Sequence, residues 1–408
     1  MTPTGTLVLL FSIATAVAIA TRRIPIPYTV ALLIAGLGLG VLGIIEAPHL
    51  TKDVLFVVFL PGLLFEGAFH IDLKDFRRNS LTITALALPG VVVSIGFTAF
   101  VVAGAFRAFG LHDDFTLRHG LVLGALLAAT DPIAVIGLFR TLHAPKRLEL
   151  LVEGESLFND GTAIVFLTLV LQFVQGSDVS IPGLALSFLL IAGGGALIGA
   201  VIGIAAALVA KRIDDAMIQI TLTVITAYGS FALADSLHLS GVIATVTAGM
   251  ICGSVSRRAS VSQQTHATLV AFWEYVAFAL NSFVFLLMGF AVIPLALFAA
   301  WKETGIAYLA VTVARFGIIF VVVGLLSRTE ERVPKNWKWP LSWGGLRGAL
   351  SMVLALSLPA DFPQRNLLIA MTFGVVVLSI LLQGLTIAPM LRRLNIREED
   401  SPSSQSGV

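Results

Sequence analysis

The sequence predicts an all-α polytopic membrane protein with about 13 transmembrane helices, in which interrupted helices from opposite halves cross near the midplane. Composition is the first reason. Of 408 residues, 57% are hydrophobic and only 12% are charged, against about 25% in an ordinary soluble protein. The mean hydropathy is +0.96. These charges are too few to cover a water-soluble surface, so a soluble globular protein is excluded.

Long apolar stretches are the second reason, because a helix needs about 20 apolar residues to cross the hydrocarbon layer. Short charged loops separate these stretches. The length of 183–210 and the shortness of 239–256 leave twelve or fourteen spans as alternatives. In chain order the predicted spans are 5–21, 26–45, 53–70, 81–106, 119–139, 150–174, 183–210, 216–235, 239–256, 267–291, 304–327, 340–360 and 367–391.

The distribution of basic residues is the third reason. Loops that follow odd-numbered spans, together with the carboxyl tail, contain 19 of the 26 Lys and Arg residues, and the opposite loops contain 5. Cytoplasmic loops collect basic residues. The bias therefore predicts an external amino terminus, one transmembrane domain over 1–393 and a short cytoplasmic tail over 394–408. The single cysteine, Cys252, excludes a disulfide framework and a thiolate metal cluster.

The fifth span contains a proline beside two polar residues, in the segment ATDPIAV. Pro132 lacks an amide hydrogen and its ring collides with the carbonyl of Ala128, so we expect the helix to break near Thr130 and Asp131. Backbone groups freed at membrane depth must line a cavity or bind a partner. A simple proline kink is the alternative, but the adjacent polar side chains favour a binding site.

The sixth span begins with a cluster of polar residues, LVEGESLFNDGTAIVF. At 100° per residue, Ser156 and Asp160 share one helix face, and Glu155 and Asn159 share the next. An ionised group at bilayer depth costs at least about 2.5–3.5 kcal/mol on insertion scales, so the cluster predicts a site, such as one for a small cation. The alternatives are that Asn159 only bonds a neighbouring helix and that Glu153 lies at the interface.

The twelfth span, LSWGGLRGALSMVLALSLP, is also interrupted, because three glycines surround Arg347. A guanidinium cannot lose its proton, so this one must be paired, with Glu155 or Asp160 as the expected partner. Spans 5 and 12 lie in opposite halves with opposite orientation, which indicates inverted repeats with a site near the midplane. We expect an arginine to neutralise the helix end at the span 5 break and a carboxylate to neutralise the one at the span 12 break.

Two further polar positions need partners or roles. Arg315 lies inside span 11 and requires a carboxylate, for which Glu66, Glu155 and Asp131 are candidates. His70 follows Glu66 by four residues on one helix face, where it could shuttle protons or sense pH. An interfacial histidine fits this position equally well.

Four motifs together resemble one family. FLPGLLFEGAFHID, ATDPIAV, GESLFNDGTAIVF and WGGLRGALSMVLALSLP extend from residue 59 to 359. As a set they are similar to the monovalent cation:proton antiporters, which include NhaP-type sodium/proton antiporters and sodium/hydrogen exchangers. The resemblance implies two inverted six-helix repeats and a homodimer. It also implies a core with spans over about 81–174 and 304–391, and a dimerisation part with spans over about 5–70 and 216–291.

The resemblance implies an ion site at Asp160, with Asn159 as the companion of that aspartate. Na⁺ is then held at Asp160, Ser156 and Thr130, and Asp131 belongs to the same coordination motif. An asparagine at the companion position resembles the electroneutral branch of the family.

The resemblance also implies roles outside the ion site. Glu66 corresponds to a carboxylate that lines the approach, where His70 is a further candidate. Glu155 and Arg347 correspond to a buried structural ion pair.

The expected function is secondary active exchange of Na⁺ or Li⁺ for H⁺ in the plasma membrane, one for one and electroneutral, serving pH homeostasis. Burial favours the protonated form of a carboxyl group and a bound cation favours the ionised form, so one aspartate binds the two ions in competition. We expect no enzyme activity, no cofactor and no nucleic-acid partner. A K⁺/H⁺ antiporter of the same fold is the alternative. A cation channel or a membrane hydrolase fits less well, because neither a carbonyl filter nor a substrate-pocket motif is present.

Overall fold

The computed structural model describes residues 3–23, 26–42, 55–176, 180–258, 262–291, 299–394 and 396. Within these ranges the chain is helical, and its β-type pairing is limited to one isolated bridge between Asp131 and Leu346. Seven continuous helical stretches of the described residues, two of which include a π turn, are long and apolar enough to cross a membrane. The all-α membrane fold class is therefore confirmed, whereas the number thirteen and the inverted repeats stay predictions.

The helices are numbered in chain order. They are α1 (Pro3–Thr21), α2 (Tyr28–Leu42), α3 (Leu60–His70), α4 (Leu73–Arg78), α5 (Ser80–Ala85), α6 (Val91–Phe109), α7 (Leu117–Leu126), α8 (Ile133–Thr141), α9 (Lys146–Val174), α10 (Ile181–Ala210), α11 (Ala216–Ser236), α12 (Gly241–Arg258), α13 (Gln263–Ala291), α14 (Trp301–Leu325), α15 (Lys338–Trp343), α16 (Ala349–Leu356), α17 (Arg365–Leu378) and α18 (Gly384–Arg393).

Two of the predicted spans are each split into two half-helices. Residues 127–132 separate α7 from α8 without helical structure, and residues 344–348 separate α15 from α16. Both breaks lie where the sequence predicts them, at Pro132 and around Arg347. The predicted tail, 394–408, lies outside the described residues except for Leu394 and Ile396.

In the part of the chain that the structure describes, three π-helical turns lie within or next to other spans. They lie at Leu55–Phe59 before α3, at Leu86–Gly90 between α5 and α6, and at Ser379–Gln383 between α17 and α18. A π turn inserts one residue into the helix, which locally widens it, and such turns are frequent at functional sites. Pro89 accounts for the second of these turns, because a proline has no amide hydrogen for the helical ladder.

The described residues form two compact units. Unit one comprises those within 1–49, 79–159 and 282–408, and unit two comprises those within 50–78 and 160–281. In unit one, α6 packs against α7 and α14, and α17 packs against α14 and α16. Unit one therefore contains both interrupted spans. In unit two, α12 packs against α3, α10 and α11.

Small residues bring α10 and α12 close together in unit two. A Cβ atom added to Gly195 would collide with the backbone carbonyl of Ser240, and one added to Gly199 would collide with that of Ala244. These glycines are four residues apart, so they lie on the same helix face. Close approach through small residues is the usual way in which helices pack in lipid, where no hydrophobic effect drives helices together.

Candidate ion-binding site

The two interrupted spans meet at Asp131 in unit one. Its amide donates to the carbonyl of Leu346 at 2.7 Å, and its Oδ1 accepts the amide of Ile133 at 3.1 Å, the first residue of α8. A Cβ atom on Gly348, the residue before α16, would collide with the Asp131 side chain. The carboxyl group therefore lies at the amino-terminal ends of both α8 and α16, where the helix dipoles favour negative charge.

Arg347 binds the carboxyl-terminal end of α7. Its guanidinium donates to the carbonyl of Leu127, to that of Ala128 at 3.0 Å and to that of Ala129 at 3.3 Å. These carbonyls follow the end of α7 at Leu126, so they have no helical partner and carry the negative end of its dipole. An arginine thus occupies the break in span 5, as the sequence predicts.

Glu155 pairs with Arg315, which corrects the predicted pair of Glu155 and Arg347. Nη1 of Arg315 lies 2.7 Å from Oε1 of Glu155, and Nη2 lies 3.1 Å from Oε2. The same guanidinium donates through Nε to the Ser342 carbonyl at 3.1 Å and through Nη2 to the Leu341 carbonyl at 2.9 Å. The prediction was wrong because backbone carbonyls bind the guanidinium of Arg347. Of the candidate carboxylates for Arg315, the partner is Glu155.

At the span 12 break the expected carboxyl group is present, that of Asp131 before α16, and an arginine is present as well. The end of α15 exposes backbone carbonyls, and Arg315 binds them there, so the carboxyl-terminal end of each first half-helix is held by an arginine. The amino-terminal ends of α8 and α16 share one carboxyl group, that of Asp131. Each sign of charge thus lies against the helix ends that attract it.

Helix α9 presents two polar side chains to the break in span 5. The Ser156 hydroxyl donates to the Thr130 carbonyl, and Nδ2 of Asn159 donates to Oγ1 of Thr130 at 3.2 Å and to Oε1 of Glu155 at 3.1 Å. All four residues are buried, with at most 5% exposed. The structure therefore brings Thr130, Ser156 and Asn159 together, and Asn159 links the break to the buried ion pair.

Asp160 is the next residue of α9. It lies four residues after Ser156, so both occupy one face of the helix. Its side chain is partly exposed, whereas Ser156 and Asn159 are buried. Its Oδ1 is nevertheless buried, and one continuous helix joins the residue to Ser156 and Asn159.

Glu66 and His70 form a pair on α3 in unit two. Nδ1 of His70 lies 3.3 Å from Oε1 of Glu66 and 2.9 Å from the Glu66 carbonyl. Arg257 of α12 fixes the end of this helix, because it donates to the carbonyls of Phe69 at 2.8 Å and Ile71 at 2.6 Å. The place of Glu66 and His70 on an ion or proton path stays a prediction.

Sequence reasoning missed two buried residues of span 13. Ser379 Oγ accepts the backbone amide of Arg347 at 2.9 Å and donates to Oε1 of Gln383 at 2.7 Å. Their spacing of four residues in an otherwise apolar segment, LSILLQG, is the signal that indicates a polar pair on one helix face.

A small cavity adjoins this network in unit one. Glu155, Asn159, Arg315 and Arg347 line it together with apolar side chains of α6 and α14. The described residues contain no group of three or more His, Cys, Asp or Glu side chains that could hold a metal ion. The candidate ligand atoms at the break in span 5 are hydroxyl, amide and carboxyl oxygens, which are hard ligands that suit alkali cations.

Comparisons with other proteins agree with this architecture. The family model described as sodium/hydrogen exchanger, transmembrane, matches residues 8–393. The Na⁺/H⁺ antiporter NhaP of Pseudomonas aeruginosa is 39% identical over 354 residues, which cover 84% of this chain and 81% of that protein. The Na⁺/H⁺ antiporter ApNhaP of Aphanothece halophytica is 36% identical over 374 residues, which cover 91% of this chain and 70% of that protein.

A solved structure has the same fold. The sodium proton antiporter MjNhaP1 from Methanocaldococcus jannaschii, determined at pH 8, matches with a TM-score of 0.78 and 20% identity, over 96% of this chain and 98% of that one. The family match extends over nearly the whole sequence and includes both interrupted spans. This protein therefore belongs to the sodium/hydrogen exchanger family.

Proposed function

We propose that this protein exchanges Na⁺ or Li⁺ for H⁺ across the membrane, with Asp160 as the group that binds the cation and the proton in turn. The observation that carries the proposal is the buried polar cluster beside Asp160. Thr130 lies in the non-helical segment that interrupts predicted span 5, and it is bonded to Ser156 and Asn159 of the helix that carries Asp160. Polar groups are retained at such depth where they serve a site.

Oxygen atoms around the break supply the other ligands in this proposal. The Thr130 and Ser156 side chains offer hydroxyl oxygens, and Asp131 offers a carboxyl oxygen that the ends of α8 and α16 stabilise. Asn159 carries no charge, so of the two adjacent positions 159 and 160 only Asp160 offers a carboxylate. The buried ion pair of Glu155 and Arg315 is neutral as a pair and stays fixed during the cycle.

Competition at one carboxylate couples the two fluxes. Burial penalises the ionised carboxylate, and either a proton or an alkali cation removes that penalty. The empty, charged site is the species that a low-dielectric barrier excludes, because moving a bare charge through it is costly. Only the occupied site then changes its exposure, so each cation that moves one way is exchanged for a proton moving the other way.

Assembly, localisation and orientation form part of the proposal. The protein is a homodimer in the plasma membrane, with its amino terminus outside and its carboxyl terminus in the cytoplasm. The excess of basic residues in alternate loops supports this orientation. The core comprises the spans over about 81–174 and 304–391, and the dimerisation part comprises those over about 5–70 and 216–291.

Cation-dependent dissipation of a pH gradient tests the proposal. We expect proteoliposomes with an imposed pH gradient, followed by a pH-sensitive dye, to lose the gradient when Na⁺ or Li⁺ is added and to keep it when choline is added. Vesicles without protein are the control. A response to K⁺ alone would assign the exchange to K⁺ instead, and no response to any alkali cation would overturn the proposal.

A membrane potential is expected to leave the exchange rate nearly unchanged. One cation and one proton carry equal charge in opposite directions, so the cycle moves no net charge. Valinomycin with a K⁺ gradient imposes the potential, and the initial rate of Na⁺-dependent dye recovery is the measurement. In an electrogenic cycle, a potential of 100 mV would change the driving force by about 2.3 kcal/mol for each net charge moved. A strong response of the rate would therefore contradict one-for-one exchange.

A further inference from the structure

The π turn Ser379–Gln383 contacts the non-helical part of span 12 through one hydroxyl group. Ser379 Oγ accepts the backbone amide of Arg347 at 2.9 Å and donates its proton to Oε1 of Gln383 at 2.7 Å. The exposed fractions are 1% for Ser379, 3% for Gln383 and 5% for Arg347. This polar chain is therefore shielded from solvent inside unit one.

The hydroxyl of Ser379 differs from an ordinary helical hydroxyl. Thr372 on the same span donates to the carbonyl of Leu368, four residues earlier in its own helix, at 2.7 Å. Ser379 instead donates to Gln383, four residues later, within a π turn. Because a hydroxyl has one proton, this donation fixes its rotation, so that a lone pair is directed at the Arg347 amide. Gln383 thus sets the direction in which Ser379 can accept.

The Arg347 amide lies in the segment that joins the breaks of spans 5 and 12. The preceding residue, Leu346, accepts the amide of Asp131 at 2.7 Å, and the Arg347 side chain binds the end of α7. One short segment therefore holds both the Asp131 backbone and the carbonyls next to Thr130. An amide at this depth that lost its acceptor would be buried without a partner, a state that proteins avoid.

We propose that Ser379, oriented by Gln383, is a positioning residue for the ion site. It touches no transported ion. It fixes the segment 344–348, which in turn fixes Asp131 and the carbonyl end of α7, so the geometry of the cation ligands depends on it. The expected effect of Ser379 on transport rests on the proposed exchange function. Its effect on the structure of the segment 344–348 does not depend on that function.

The transport test compares Ser379→Ala with Thr372→Val, which removes a buried hydroxyl of the same span that bonds only within its own helix. We expect Ser379→Ala to raise the KM for Na⁺ by about tenfold, the loss that one buried hydrogen bond causes, with a smaller change in the maximal rate. Because the cation then competes less well with the proton, the pH profile moves to higher pH. Ser379→Thr, which retains the hydroxyl, is expected to restore both, and Thr372→Val is expected to resemble the wild type.

Amide hydrogen exchange provides a measurement that needs no transport. In Ser379→Ala, peptides covering 344–348 are expected to exchange faster than in the wild type, while peptides from α12 keep their rate. Gln383→Leu keeps the Ser379 hydroxyl but frees its rotation, and serves if Ser379→Ala does not fold; it is expected to show the same changes to a smaller degree.

The outcomes separate the two proposals. Wild-type protein without cation-dependent flux would refute the exchange function, and the hydrogen-exchange result would still decide the positioning role. Unchanged KM, pH profile and exchange in both Ser379→Ala and Gln383→Leu would overturn that role, as would an equal effect of Thr372→Val.

Discussion

Replacing Asp160 by Asn is expected to abolish Na⁺-dependent proton flux, down to the rate of vesicles without protein. Asparagine has nearly the same size and shape as aspartate, but it can neither bind a proton in this pH range nor offer a negative charge to a cation. Asp160→Asn therefore removes both proton binding and cation binding. The measurement is dissipation of a pH gradient in proteoliposomes, together with the amount of folded protein after reconstitution.

The same substitution at an exposed position provides the control. Asp235 of α11 is exposed, so Asp235→Asn removes one carboxylate without touching the polar cluster. We expect this variant to transport like the wild type. We also expect the size-exclusion profile of Asp160→Asn to match that of the wild type, because the substitution removes an ionisable group from a predicted membrane span and adds none. Substantial residual exchange in Asp160→Asn would contradict the assigned role and direct attention to Asp131, the other carboxyl group near the break.

Local chemistry allowed the sequence to predict the helical fold and the two breaks. A proline within an apolar stretch can break a helix whatever surrounds it, so Pro132 by itself indicates the break that separates α7 from α8. Glycines around a buried arginine mark the second break in the same way. Helix periodicity predicted only that Ser156 and Asn159 lie on adjoining faces of one helix. Their grouping with Thr130 was implied by the resemblance to the antiporter family.

Long-range pairing could not be read from the sequence in the same way. Glu155 and Arg315 are 160 positions apart, and the sequence offers Arg347 as an equally good cation. What decides between them is that Arg347 binds backbone carbonyls beyond the end of α7. Every residue has a backbone carbonyl, so the sequence does not indicate which carbonyls will accept hydrogen bonds from an arginine. The same reason hid the second function of Arg315, which binds the carbonyl end of α15.

Breaking the buried ion pair is expected to destabilise unit one strongly. Glu155 is 2% exposed and Arg315 is 8% exposed, and the two are joined by hydrogen bonds of 2.7 and 3.1 Å. Removing one partner of such a pair costs about 3–5 kcal/mol, because the other charge is left buried. Glu155→Gln and Arg315→Gln are therefore each expected to lower the melting temperature in detergent and the yield of folded protein.

A double-mutant cycle identifies which arginine is the partner. The double variant Glu155→Gln with Arg315→Gln contains no stranded charge, so we expect it to melt above either single variant. It should remain below the wild type, because the carbonyls of Leu341 and Ser342 lose their donor. Glu155→Gln combined with Arg347→Gln is expected to show a smaller coupling, since Arg347 is held by the carbonyls after α7.

The size of the coupling is the decisive quantity. Contacting residues typically show interaction energies of about 0.5–3 kcal/mol in such cycles. We expect the pair of Glu155 and Arg315 to lie in the upper part of that range, because both bonds are short and buried. If the coupling with Arg347 equalled or exceeded the coupling with Arg315, the ion pair would be the one that the sequence motifs suggest, and the binding of Arg315 to α15 would be its main role.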